Sequence, residues 1–380
     1  ARKGDPRQPW YRKFIPQLTG GFDLTKVANE GNLDELQVNK IYGKIHGLAE
    51  SGNLVALSEF NGLYYHHLYE NEQPLTHVLS KPNPDTVKED GYTGKKADTG
   101  FLLPKNLNDK FQGGEQHQVD KKNYYSEVAD LKINNKLKIV SVHLDGDGPK
   151  GPEKKPTNFT IDEFLRMYIK NKVSYISRFE DADIIVGDTN ITKGKSTGDL
   201  LPNVITKQIA DALADICGYT WLVIQSNVKV GKVRKGFILL NDQIQKSEAE
   251  ENPECDGTII AIRLNENYNL GSLENWCTEN NYRYAISGNQ GSTFGDKEEE
   301  LVTANSFNKD NVLEEKVFLD HSLMYISKEL VLGLTGKDLQ CENLVVLNAG
   351  SIVGDALKAW HTDKITEFSE YQRMDKALYE

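Results

Sequence analysis

The stretch DADIIVGDTN, residues 181–190, is an apolar run that ends abruptly in side chains able to hold a metal ion or a phosphate. Residues 184–186 (Ile-Ile-Val) have the composition of a short buried strand. Asp188 and Asn190 follow at the C-terminal end of that strand. Strand ends often carry sites, because the sheet fixes the backbone while the following loop stays open to ligand. The stretch therefore predicts a strand that leads into a binding or catalytic site.

Two other segments follow the same pattern, and a third adds a paired motif. The run IVSVHL, residues 139–144, brings His143 to the end of a strand-like segment. The run LVALSE, residues 54–59, brings Glu59 to a similar place. Further along, LDHS at residues 319–322 sets an aspartate beside a histidine.

Apolar periodicity alternates between strand-like and helix-like segments along the chain, which indicates a mixed α/β layered architecture. The predicted strands include residues 53–60, 137–144, 183–187, 257–263, 282–286 and 344–347, and the predicted helices include residues 32–51 and 204–216.

The four segments, in this order and each after a strand-like run, resemble the endonuclease/exonuclease/phosphatase superfamily, also called the DNase I-like fold. The matching pieces are Ala56-Leu57-Ser58-Glu59, Ser141-Val142-His143-Leu144, Val186-Gly187-Asp188-Thr189-Asn190 and Leu319-Asp320-His321-Ser322. Together they cover about residues 14 to 330. The resemblance implies an α/β four-layered sandwich, with two packed mixed β-sheets flanked by helices and the site at one end.

The resemblance also implies a role for each strand-end residue. Glu59 would bind Mg²⁺ or Mn²⁺, a hard cation that prefers oxygen ligands. Asp188 would orient or activate water and is also a candidate metal ligand. Asn190 would position the water or the phosphate, and His143 would contact the phosphate. At each position the alternative is an ordinary structural role. Glu59 would be an exposed glutamate, Asp188 and Asn190 would form an Asx turn, and His143 would be a half-buried histidine.

The terminal motif admits two registers. In the first, Asp320 orients His321 against the phosphate and is a further candidate metal ligand. In the second, residues 319–327 match the family's penultimate strand. Asp363 then takes the terminal position as the alternative candidate metal ligand, with Lys364 where a histidine is expected. The family's first strand usually ends in an asparagine that helps to bind metal, and residues 16–21 offer none.

The predicted organisation is one large domain with insertions. An N-terminal arm covers residues 1–13, and the domain covers residues 14–335. Residues 336–380 form a C-terminal extension or, in the second register, supply the last strand of the same domain. The insertions are expected at about residues 70–98, 242–256 and 295–311.

Composition limits the function classes. The 380 residues carry a formal net charge of −11, which argues against a protein that coats nucleic acid without sequence preference. It does not argue against a nuclease with basic residues around its active site. The sequence contains no run of eighteen apolar residues, which is about the length needed to span a bilayer. The four cysteines show no C-x-x-C spacing, so reduced thiols in a cytoplasmic or otherwise soluble protein are expected, with secretion by a removed leader left open.

The sequence thus predicts a Mg²⁺-dependent phosphoesterase, foremost a phosphodiesterase or nuclease in which water attacks a nucleic-acid or related phosphodiester. A phosphoinositide or sphingolipid phosphoesterase is the first alternative. The second is a catalytically inactive family member that binds a partner, which the missing first asparagine favours. A third is an unrelated α/β protein. The oligomeric state stays open.

Overall fold

The computed structural model describes residues 35–69, 77–79, 98–120, 125–134, 136–144, 180–191, 202–226, 257–280, 282–288, 317–318 and 321–349. Its α-helices are α1 (Glu35–Glu50), α2 (Gly62–Tyr69), α3 (Pro202–Cys217), α4 (Leu273–Asn280) and α5 (Lys328–Thr335), with a 3₁₀ helix at Lys105–Lys110. Its strands are β1 (Leu54–Phe60), β2 (His77–Leu79), β3 (Asp98–Leu102), β4 (Phe111–Asp120), β5 (Tyr125–Ile133), β6 (Leu137–His143), β7 (Ile184–Asp188), β8 (Trp221–Ser226), β9 (Thr258–Arg263), β10 (Tyr282–Ile286), β11 (Val317–Phe318), β12 (His321–Ser322), β13 (Met324–Ser327) and β14 (Asn343–Asn348).

The strands form two mixed sheets and one small ladder. Sheet A has the order β13-β14-β1-β3-β2, and sheet B has the order β10-β8-β9-β7-β6-β5-β4. Each sheet contains one parallel pair, β1 with β14 in sheet A and β6 with β7 in sheet B, while the other neighbours are antiparallel. Among the strands that the structure describes, β11 and β12 pair only with each other.

Alternation along the strands of sheet B produces two apolar layers. Ile184 and Val186 belong to a large core cluster that also contains Leu57 and Leu347 of sheet A, so this face packs against the other sheet. Ile185, between them, belongs to a second cluster together with the apolar residues of α3. Successive strand residues point to opposite faces, so a continuous apolar run is needed where both faces are buried.

Helix α1 packs against sheet A next to β1. The ring of Tyr42 stacks on Phe60 at 5.0 Å between centroids, and the Tyr42 hydroxyl accepts a hydrogen bond from Asn61 N at 2.8 Å. With α3 on sheet B, the two mixed sheets are flanked by helices, and the predicted α/β sandwich architecture is confirmed. No helix in the described ranges has the length and apolar character needed to cross a membrane.

The two parallel pairs place four strand ends at one edge of the sandwich. In sheet A, Ser58 of β1 pairs with Asn348 of β14. In sheet B, His143 of β6 pairs with Asp188 of β7. Parallel neighbours end on the same side, and Ser141 links the sheets by donating its hydroxyl to the carbonyl oxygen of Leu57 at 3.3 Å. This edge is where the polar side chains meet.

Candidate active site

Three of the side chains predicted from the sequence lie together at this edge. His143 Nε2 is 3.9 Å from Glu59 Oε1 and 3.9 Å from Asp188 Oδ2. The imidazole therefore lies between two carboxylates, beyond hydrogen-bond distance of either. His143 and Glu59 keep 21% and 18% of their side-chain surface exposed, whereas Asp188 keeps 2%. The aspartate forms the floor of the site, and the other two side chains remain within reach of solvent.

Asp188 is held by donors to both carboxylate oxygens. Oδ1 accepts the backbone N–H of Asn190 at 2.7 Å, and Oδ2 accepts the side-chain amide of Asn348 at 3.4 Å. Asn348 is the last residue of β14 and is as buried as the aspartate. Hydrogen bonds to the ionised form of a carboxylate offset the free-energy cost of its burial.

Asn190 ties the ends of the parallel pair β6–β7. Its side-chain amide donates to the carbonyl oxygen of Leu144 at 2.6 Å, and Leu144 N donates to Asp188 O at 2.9 Å. The backbone bond from Asn190 to Asp188 Oδ1 is the Asx turn that the Asp-x-Asn spacing allows. Asn190 has a φ of 51°, in the left-handed region that asparagine tolerates better than most residues. In this conformation the asparagine shapes the loop that carries Asp188.

Glu59 lies in an irregular part of β1, one residue before the strand ends. Its φ of 52° lies in the left-handed region, and the pairing of β1 with β3 shifts register between Leu57 and Phe60. A bulge of this kind bends the strand and re-aims its side chains. A non-glycine residue with left-handed backbone torsions is strained and persists only where the surrounding structure holds it. Such residues are often found at functional sites. The bulge explains how a carboxylate of sheet A comes near His143 of sheet B.

The donor set suits a hard divalent cation. Within the described residues, no group of three or more His, Cys, Asp or Glu side chains has the arrangement of a metal site. Mg²⁺ does not require one, since it keeps several waters and is commonly held by one or two carboxylates. Glu59 and Asp188 provide two carboxylates, and Asn348 adds an amide beside them. These oxygen-bearing groups fit Mg²⁺ or Mn²⁺ better than zinc, which favours histidine and cysteine.

The terminal motif falls largely outside the described part of the chain. Asp320 lies outside it, and so do Asp363 and Lys364 of the second register. His321 is described only as backbone, in β12 opposite Phe318. The roles of Asp320 and His321 stay predictions, and so do the domain boundaries, because residues 1–34 and the insertions at about residues 242–256 and 295–311 also lie outside.

Within the part of the chain that the structure describes, Asn348 lies beside Asp188 but was not among the predicted site residues. The segment LVVLN, residues 344–348, has the same form as IIVGD at residues 184–188: an apolar strand that ends in a polar side chain. That signal was present, but residues 344–348 lie far along the chain from Glu59. Only the parallel pairing of β14 with β1 shows that they share an edge.

No protein-family model matches the sequence, and no curated protein matches it. Among solved structures, truncated Caenorhabditis elegans TDP2 is similar, with 12% identity over 61% of this chain and 81% of that chain and a TM-score of 0.29. A β-hairpin deletion mutant of Staphylococcus aureus beta toxin has 14% identity over 66% and 84%, with a TM-score of 0.28. The inositol polyphosphate 5-phosphatase domain of SpSynaptojanin, in complex with inositol (1,4)-bisphosphate and calcium ion, has 9% identity over 61% and 63%, with a TM-score of 0.27.

Superpositions with TM-scores below 0.3 identify neither a substrate nor an activity. The strand order, the two parallel pairs and the convergence of Glu59, His143 and Asp188 come from this chain alone. On these features the chain has an α/β sandwich of two mixed sheets flanked by helices, the architecture that its sequence predicts.

Proposed function

We propose that the protein is a metal-dependent phosphoester hydrolase that cleaves a phosphodiester by attack of water. The observation that carries the proposal is the placement of His143 Nε2 at 3.9 Å from both the Glu59 and the Asp188 carboxylates, at the meeting point of four strand ends. Phosphoester hydrolysis needs a centre for the phosphate charge, a base for water and a donor to the phosphoryl oxygens. The three side chains are chemically suited to these tasks.

Glu59, with Asp188 beside it, would hold Mg²⁺ or Mn²⁺. When bound, such a cation neutralises phosphate oxygens and makes an attacking water more acidic. Glu59 is suited to this role because its carboxylate is partly exposed and lies 3.9 Å from His143.

Asp188 would accept the proton of the attacking water. Its carboxylate is fixed by the N–H of Asn190 and the amide of Asn348, so little motion is needed before reaction. His143, whose Nε2 lies 3.9 Å from the Asp188 carboxylate, would donate a hydrogen bond to a phosphoryl oxygen. Asp320 and His321 would add the second phosphate contact that the family resemblance implies.

The placement of Asn348 also bears on the alternative of a catalytically inactive binding protein. That alternative gained support from the missing asparagine on the first predicted strand. An asparagine now stands beside Asp188, on a strand parallel to the one that carries Glu59. We propose that this amide takes the place of the missing asparagine, which weakens the support for a binding-only role.

The substrate is proposed as a phosphodiester of nucleic-acid type. A phosphoinositide or a sphingolipid is the alternative within the same chemistry. The net charge of −11 would make a nuclease depend on divalent cations and on ionic strength. Steep loss of binding with added salt would indicate nucleic acid, and weak dependence would indicate a lipid or small ester.

The test is hydrolysis of bis-p-nitrophenyl phosphate, single- and double-stranded DNA and RNA, an inositol polyphosphate and sphingomyelin vesicles. Each assay contains Mg²⁺, Mn²⁺ or EDTA. Asp188→Asn should reduce kcat by about 10³-fold, and Glu59→Gln should raise the Mg²⁺ concentration that gives half-maximal rate. Glu342→Gln, in an exposed ion pair with Lys328, is the matched carboxylate control and should retain full activity. Absence of metal-dependent turnover on every substrate would reject the proposal.

A further inference from the structure

Backbone atoms of Gly257 lie against the Asp188 carboxylate. Gly257 immediately precedes β9, whose first residue, Thr258, pairs with Asp188. A Cβ atom at Gly257 would lie 2.4 Å from Asp188 Oδ1, 2.5 Å from Asn190 N and 2.8 Å from Asn190 Cα. Two of these three contacts are with backbone, so a side chain at residue 257 would displace the carboxylate, the loop or both.

Gly257 also holds the loop through its carbonyl oxygen. That oxygen accepts two hydrogen bonds from Thr189, one from the backbone N–H at 2.8 Å and one from the hydroxyl at 2.7 Å. The Thr189 hydroxyl in turn accepts the N–H of Ile191 at 3.2 Å. Thr189 is 2% exposed, so these bonds form away from water. The residue between Asp188 and Asn190 is thus fixed to the strand beside them.

We infer that Gly257 and Thr189 are positioning residues that fix the Asp188 carboxylate relative to His143. Because Gly257 has no side chain, the Asp188 carboxylate can lie against its backbone. Thr189 holds the loop in place through its two hydrogen bonds to the carbonyl oxygen of the same glycine. The inference rests on the proposed function, because it assigns these residues to the geometry of the proposed base. Neither residue is required to touch the substrate.

Only part of the aspartate's orientation comes from its own strand. Backbone hydrogen bonds from β7 to the neighbouring strands β6 and β9 fix the backbone of Asp188 but leave its side-chain torsions free. The flat surface of Gly257 closes one side of the carboxylate, while Asn348 acts on the other oxygen. A displacement of about 1 Å in a reacting group lowers the rate of an enzymatic reaction by about 10²-fold. The clash distances at Gly257 require a shift of that order.

Four variants test the inference. Gly257→Ala inserts the Cβ, and Gly47→Ala is its control, because no atom lies within 4 Å of a Cβ built at that position in α1. Thr189→Val removes the hydroxyl with little change of shape, and Thr189→Ser restores it. Steady-state rates on the best substrate, urea unfolding and a crystal structure would be measured for each.

Gly257→Ala should lower kcat by about 10²-fold with KM changed less than about threefold. Thr189→Val should lower kcat by about 10-fold, and Thr189→Ser should recover most of it. Gly47→Ala should match the wild type. In the crystal structure of Gly257→Ala, the distance from Asp188 Oδ2 to His143 Nε2 should depart from 3.9 Å.

Unchanged kcat in both Gly257→Ala and Thr189→Val would overturn the inference. If Gly257→Ala does not fold, the Val and Ser variants of Thr189 decide, and equal kcat in these two would overturn it. If the wild type hydrolyses no substrate, the proposed function fails while the crystal structures still decide the positioning claim. An Asp188 carboxylate in its wild-type place in both Gly257→Ala and Thr189→Val would then overturn it.

Discussion

Asp183 is a buried carboxylate at the opposite end of β7 from the candidate active site, and its removal should destabilise the whole sandwich. Both of its oxygens accept hydrogen bonds from Lys337 Nζ, at 2.8 and 2.7 Å. Oδ2 also accepts the backbone N–H of Lys138 at 2.9 Å, and Oδ1 pairs with Arg263. Lys337 follows α5 in the connection to β14, so the carboxylate ties sheet B to a segment that leads into sheet A.

The magnitude of the effect follows from burial. Removing one partner of a buried ion pair costs roughly 3–5 kcal/mol, because the other charge is left desolvated. Here the side chains of Arg263 and Lys337 are 21% and 33% exposed, so water recovers part of that loss. An asparagine at residue 183 also retains one oxygen for the Lys138 N–H. We expect Asp183→Asn to lower the free energy of unfolding by about 2–3 kcal/mol.

Equilibrium urea unfolding, followed by tryptophan fluorescence, measures this difference. The control is Glu342→Gln, which breaks the exposed Lys328–Glu342 pair and should leave the transition midpoint where it is. At low urea, Asp183→Asn should keep the activity of the folded protein, since β7 separates residue 183 from Asp188. A loss below about 1 kcal/mol for Asp183→Asn, or an equal shift in the control, would refute the reasoning.

Three further predictions concern packing, the site and the thiols. Gly187→Ala should lower the free energy of unfolding by about 3 kcal/mol or more, because its φ is 120° and a Cβ would lie 2.1 Å from a carbonyl oxygen of β6. Gly52→Ala shares a positive φ but meets no atom within 4 Å, so urea unfolding of both variants separates the clash from the backbone strain. Asn348→Leu should lower kcat by about 10²-fold by removing the amide donor to Asp188, and an unchanged kcat would contradict this. Burial raises the pKa of the Cys341 thiol to about 12, so little thiolate exists at pH 8 and iodoacetamide should label this residue only after unfolding; rapid labelling of the folded protein at pH 8 would contradict it.

Strands buried on both faces were predictable from the sequence to within a residue or two. The segment predicted at 183–187 is β7 at Ile184–Asp188, and the segment predicted at 282–286 is β10 with the same bounds. The predicted helix at 204–216 is α3, Pro202–Cys217. These elements combine largely apolar runs or clear helical periodicity with polar turns on either side, so local pattern and tertiary packing favour the same structure.

The helix α2 was not predictable in the same way. Its sequence, GLYYHHLY at residues 62–69, is rich in aromatic residues that favour strands. The structure makes it helical through its first turn and its packing. Asn61 accepts the N–H of Tyr64 on its side-chain oxygen at 3.0 Å, and the rings of Tyr64 and Tyr65 are buried beside Phe60 and α1. An N-terminal cap and tertiary contacts here outweigh the intrinsic preference.

The candidate active site shows a different limit. Glu59, His143 and the Asp188–Asn190 pair were predicted as site residues because each lies at the end of an apolar strand, and the family resemblance groups them. Asn348 also follows an apolar strand, but no local pattern states which strand will be its neighbour.

Placing β14 in the interior of sheet A depends on burial along nearly its whole length. Residues 344–348 are all nearly inaccessible to water, with β13 on one side and β1 on the other. A strand with apolar residues on both faces is most stable in the interior of a sheet. Parallel alignment with β1 then fixes which end of β14 reaches Asp188, because only that direction places Asn348 opposite Ser58. The pairing of β14 with β1, which are far apart in the sequence, therefore brings Asn348 to the site. The order of the motifs along the chain does not predict this.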